Sequence, residues 1–113
     1  MKCTFELNSK GFIKQRESFD LEFKEAFHYG DSLAEYIRSI VGMANNKGGE
    51  IIFGIKDRPR EPKGLQNDKF DNCDPNKINQ FISEYFSHEV LWNMETHEIN
   101  RKQFGRLWVE EAP

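Results

Sequence analysis

An apolar helical stripe runs through a glycine pair straight into an apolar strand, and this junction constrains the fold more than any other feature of the 113-residue chain. Leu33, Tyr36, Ile37, Ile40, Val41 and Ala44 recur at helical spacing and make one apolar face. Ser32-Leu33-Ala34-Glu35 fits a capping box, in which serine and glutamate each satisfy an unpaired backbone N–H, so the spacing predicts a helix from Ser32 to Asn45 or Asn46. Gly48 and Gly49 can take the positive φ angles that close a helix C-terminus. Ile51-Ile52-Phe53-Gly54-Ile55 follows without alternation, which suits a central strand covered on both faces.

Leu21-Glu22-Phe23-Lys24 alternates apolar and charged residues, the period of a half-buried strand, and so puts Glu22 and Lys24 on one face. Residues 8–15 read as a short helix in which Gly11 is the weak point. Residues 58–72, rich in Pro, Gly, Asp and Asn, have neither period and read as a long loop. Asp74-Pro75 opens a second helix that carries Ile78, Phe81, Ile82, Tyr85 and Phe86 on one face. Residues 90–99 and 103–110 read as two strands joined by a turn at Asn100-Arg101-Lys102. The order strand, helix, strand, helix, strand, strand packs most simply as an α+β two-layer sandwich.

The length suits one domain, 1–113, and the chain stops directly after a strand, so it is expected to be the N-terminal module of a longer protein. No apolar run approaches bilayer length and the N-terminus lacks an apolar signal region; the expectation is a cytoplasmic protein with no membrane role. Cys3 and Cys73 are too few and too far apart for a disulfide framework or a zinc knuckle and read as free thiols. Net charge is −3 and the pI about 5.6, which argues against coating nucleic acid through charge alone. The average conceals Lys56, Arg58, Arg60 and Lys63, crowded into one proline-stiffened loop; a solvated surface is the plain reading of such a loop and phosphate binding the functional one.

Glu17, Glu22 and Asp57 are acids at separated positions that would hold a divalent metal if they converged, since neighbouring carboxylates need a cation between them or raised pKa values. Each also has a plain reading: Glu17 as a cap, Glu22 as a solvated strand position, Asp57 as a turn cap before Arg58-Pro59. Five residues of spacing set Glu17 opposite Glu22 on an unbroken strand, so their convergence requires a bend near Phe19-Asp20. Lys24 would either neutralise charge on a phosphate or pair with Glu22. Gly48 and Gly49 would let a phosphate approach the backbone, but the helix-to-strand closure explains them without a ligand; Asn45 would either hydrogen-bond a base or, the plainer reading, tie the helix end to the first strand. No Gly-x-x-x-x-Gly-Lys-[Ser/Thr] occurs, so there is no P-loop. His28, His88 and His97 lack zinc-site spacing. Trp92, Trp108, Tyr85 and Phe86 are read as core before they are read as stacking platforms.

Glu17-Ser18, Glu22-Phe23-Lys24, Ala44-Asn45 followed by Gly48-Gly49, and Gly54-Ile55-Lys56-Asp57 occur in the order and approximate spacing of the AlbA_2 domain, the nucleic-acid-binding module that also forms the core of Schlafen proteins, and the chain resembles that family over about its whole length. Asn46 and Gly42 depart from its commoner threonine and alanine. The resemblance implies a two-layer sandwich of two main helices on a mixed sheet. It implies DNA or RNA as partner, with Lys24, Lys47, Arg58, Arg60 and Lys63 on phosphates. Ribonuclease members of the family further imply a set of two glutamates and an aspartate, here Glu17, Glu22 and Asp57 with Lys24 beside them, holding magnesium or manganese to cut structured RNA such as transfer RNA. Other AlbA_2 domains are presumed DNA-binding modules of regulators or ATPase-like proteins. Paired lobes in Schlafen cores imply a homodimer for a single module, and a protein-interaction role is the alternative from another class.

Overall fold

The computed structural model describes residues 6–85 and 90–112; Cys3, Phe86 and His88, and the side chain of Tyr85, lie outside the described part. In chain order the elements are β1 (Leu21–Lys24), α1 (Asp31–Ala44), β2 (Gly48–Phe53), β3 (Ile55–Lys56), β4 (Glu61–Pro62), α2 (Pro75–Tyr85), β5 (Trp92–Ile99) and β6 (Lys102–Glu110). The main sheet runs β1-β2-β6-β5. Its β1/β2 pair is parallel, connected through α1, and the other pairs are antiparallel, so the sheet is mixed as expected. No helix among the described residues is long and apolar enough to cross a membrane.

Helix α1 buries Leu33, Tyr36, Ile37, Ile40, Met43 and Ala44. Each large apolar side chain removed from water contributes roughly 1.5–3 kcal/mol. The helix begins without the expected capping box: Gly30, at φ 76° and ψ −137°, is its N-cap, no side chain caps it, and Glu35 is engaged by Lys24 instead. It ends at Asn45, whose backbone N–H donates to Val41 O. The N–H of Ala112, just past β6, donates to Ala44 O, and among the described residues no side-chain hydrogen bond from Asn45 ties the helix end to β1. Helix α2 opens as the Asp74-Pro75 pattern predicts, with Asp74 Oδ1 accepting from the N–H of Asn76 at 3.0 Å.

Strand β2 is covered on both faces. Ile51 and Phe53 pack on the helix side, where the Phe27, Tyr36, Phe53 and Phe70 rings meet at centroid distances of 4.9 to 5.5 Å. Ile52 points the other way, into a second cluster with Ile13, Phe23, Ile55 and Phe104. Ile13 comes from residues 8–15, which form a tight turn rather than the expected helix: Asn8 Oδ1 accepts from the N–H groups of Lys10 and Phe12, and Leu7 bridges Ile13. A short polar side chain that bonds the neighbouring backbone competes with helix formation, and Gly11 takes φ 81° there.

The loop expected over residues 58–72 is partly ordered as a small hairpin, β3 against β4. The β5–β6 connection is a two-residue turn, with Asn100 and Arg101 both at positive φ, the geometry that matches strand twist.

Candidate nucleic-acid interface

The bend that Glu17 and Glu22 require is present. Ser18 and Leu21 exchange backbone hydrogen bonds of 2.9 and 3.3 Å, and Ser18 Oγ donates to Asp20 Oδ1 at 2.6 Å. The turn brings Glu17 back along the edge of β1, where its Oε2 accepts from the N–H of Phe23 at 3.2 Å. Glu17 and Glu22 consequently border one open pocket of about 260 Å³, together with Ser18, Phe19, Arg38 and Ser39. Glu22 Oε2 is shut off from solvent and has no hydrogen-bond partner among the described residues. A desolvated, unpaired carboxylate oxygen is an unfavourable arrangement, relieved by a donor or a cation.

Asp57 is exposed between β3 and β4 and does not border that pocket. Among the described residues no group of three or more His, Cys, Asp or Glu side chains is disposed to hold a metal ion. Any divalent ion at this pocket would therefore rest on Glu17 and Glu22, with water or phosphate oxygens completing its shell.

Lys24 shares the helix-side face of β1 with Glu22, yet its Nζ bonds Glu35 Oε1 on α1 at 3.1 Å, not Glu22. Burial pulls its pKa down, but the hydrogen bond that Lys24 donates to Glu35 and the charges of Glu22 and Glu35 outweigh that and leave it raised.

The basic residues of the loop gather with others that the linear sequence keeps apart. The N–H of Ile13 donates to Arg60 O at 2.7 Å and Arg60 Nε donates to Ile13 O at 3.0 Å, which fixes the hairpin to the N-terminal turn. Lys102 Nζ donates to Pro62 O at 3.2 Å, and the N–H of Leu65 donates to Gln103 O at 2.7 Å, which fixes it to the start of β6. Lys56, Arg58 and Lys63 on the hairpin and Arg101 on the β5–β6 turn are exposed at this same end. Lys47 is not among them. It precedes β2 at the strand's opposite end and borders an open groove with Asp20, Glu50, Arg106, Trp108 and Glu110.

Sequence reasoning missed Arg101 and Lys102, Phe19, Arg38, and a charged ladder on the sheet face away from the helices. In that ladder Arg106, 3% exposed, bonds Glu50 Oε2 at 2.6 Å and stacks at 5.3 Å over the Trp108 ring, and Glu95 Oε2 lies 3.0 Å from His97 Nε2. Trp92 is held to α2 through Asn79 at 2.8 Å. The overlooked signal for Arg38 was the polar stripe Glu35, Arg38, Ser39, Gly42, which follows helical spacing on the edge of α1 facing β1.

The family model described as "Schlafen, AlbA_2" matches residues 17–113. A curated relative, an uncharacterized ATP-binding protein of Ureaplasma parvum serovar 3 (strain ATCC 700970), is 37% identical over 95 residues, covering 84% of this chain and 26% of that protein. The chain thus spans about a quarter of the length of that relative.

Proposed function

Because the chain belongs to the Schlafen AlbA_2 family, we propose that it is a nucleic-acid-binding domain whose main phosphate contacts come from the β3–β4 hairpin and the β5–β6 turn. The observation that carries this reading is the tertiary gathering of exposed Lys56, Arg58, Lys63 and Arg101 at one end of a chain whose net charge is −3. A concentrated cationic end on an otherwise acidic surface orients a polyanion and is strongly salt-dependent. Lys102, through Pro62 O, holds the two segments together, and Arg60, through Ile13 O, anchors the hairpin to the N-terminal turn. Lys24, paired with Glu35, and Lys47, at the far end of β2, lie outside this interface.

The test is retention of labelled transfer RNA and duplex DNA at several salt concentrations by the chain and by a Lys56→Ala/Arg58→Ala/Lys63→Ala variant. The variant is expected to bind more weakly, with the slope of log K against log salt reduced by about one for each phosphate that it no longer neutralises. Unchanged affinity at low salt would refute the interface. A stable dimer with no affinity for either probe would favour a protein-interaction module. A parallel incubation with manganese or EDTA reads cleavage, the alternative role for the Glu17 and Glu22 pocket. Manganese-dependent cutting that disappears in Glu22→Ala would assign an endoribonuclease with those two carboxylates at the metal.

A further inference from the structure

The pocket beside β1 offers recognition chemistry that a phosphate interface at the hairpin does not use. Phe19 is 63% exposed, more than Leu7, Tyr29 or Leu91, the other large apolar side chains at the surface of the described residues. Its exposure is not slack. The turn beneath it is closed by the paired Ser18 and Leu21 bonds and by Ser18 Oγ on Asp20, so the ring stands on a fixed apex. Across the pocket, α1 contributes Arg38 and Ser39, and the exposed Arg38 makes no ion pair or hydrogen bond among the described residues. Glu22 also borders the pocket, although its Oε2, which has no hydrogen-bond partner among the described residues, is shut off from solvent.

An aromatic face and an unpaired guanidinium bordering about 260 Å³ match the base and the phosphate of one nucleotide. We infer that this pocket is a subsite for a single unpaired nucleotide, with its base stacked on Phe19 and its phosphate on Arg38. The two carboxylates repel phosphate, so the backbone passes on the Arg38 side and the base enters. A base inside a duplex is already stacked on both faces and cannot occupy the site, whereas a single strand offers its π-faces freely. This inference rests on the nucleic-acid-binding reading and adds the substrate class, single-stranded nucleic acid.

Fluorescence anisotropy in EDTA, with labelled oligo(dA) and a blunt duplex of the same length as probes, tests it without any metal. Phe19→Ala is expected to weaken oligo(dA) binding roughly tenfold, the scale of one base–aromatic stack, and to leave the duplex unchanged. Phe19→Trp is expected to restore oligo(dA) binding, and Arg38→Gln to lower the single-strand salt slope by about 0.7. If wild type retains the duplex and oligo(dA) binding is indifferent to Phe19→Ala, or both probes weaken equally, the subsite is overturned while the binding reading stands. If wild type retains neither probe, both fall.

Discussion

Gly42 and Gly49 look alike as letters and differ by what surrounds them. A Cβ at Gly42, inside α1, would meet no atom within 4 Å. Glycine in a helix interior is about 0.8–1 kcal/mol less favourable than alanine, so Gly42→Ala is expected to raise stability by about 0.5–1 kcal/mol, read as a higher urea midpoint at unchanged slope. A Cβ at Gly49 would lie 2.7 Å from Asp20 O and 2.8 Å from Met43 Sδ. Overpacking against a backbone oxygen that cannot move away costs about 1–3 kcal/mol, so Gly49→Ala is expected to lower the midpoint. That glycine is structural was legible from its place between helix and strand; the neighbour that demands it, the 18–21 turn, was not. At the same scale, burial pushes the Cys73 thiol above its ordinary 9.0, and Lys24 is raised above 10.5. In both cases the native state holds its proton more tightly than the unfolded chain, so both contributions are present at neutral pH and are lost as pH rises through the raised folded-state values. Unfolding midpoints are expected to fall from about pH 9 upward. A midpoint that stayed flat or rose over that range would refute the assignment.

Among the elements, the helices and strands were readable because period and punctuation agreed. Asp74-Pro75 opens α2, and the alternation Leu21 to Lys24 is β1. Two elements were misread because a local hydrogen bond overrode the pattern: Asn8 closes a turn where a short helix was expected, and Lys24 takes the Glu35 side chain that the capping box required. The Glu50–Arg106 pair could not be read at all, since β2 and β6 lie far apart in sequence and only their antiparallel register joins them. With the Arg106 side chain 4% exposed and that of Glu50 14%, neither charge is well screened by water. Removing one partner of such a pair strands the other, so Arg106→Ala is expected to destabilise by about 3 kcal/mol. Replacing the pair together by apolar residues of similar volume, Arg106→Met with Glu50→Leu, is expected to recover most of that stability. A double-mutant cycle in urea measures the coupling, and a value near zero would show that packing of the Arg106 stem, not charge, sets the cost.

Across the whole molecule, charge is sorted in a way that composition hides. The loop cations at 56–63 were legible as a cluster, but Arg101 joins them only because β5 and β6 fold back beside the hairpin, through Leu65 N–H on Gln103 O and Lys102 on Pro62 O. Lys47 was grouped with them from sequence, yet all of β2 separates it from the hairpin, and Asp20, Glu110 and Glu111 border its groove. The same strand that orders the core therefore divides the cations into a concentrated end and an isolated one. If the proposed interface holds, Arg101→Ala and Lys63→Ala should each reduce the salt slope of duplex binding by about one, and Lys47→Ala should leave it unchanged. An equal effect from Lys47→Ala would mean that nucleic acid runs the length of the sheet edge rather than seating on one end, and the three single variants together distinguish these two tracks.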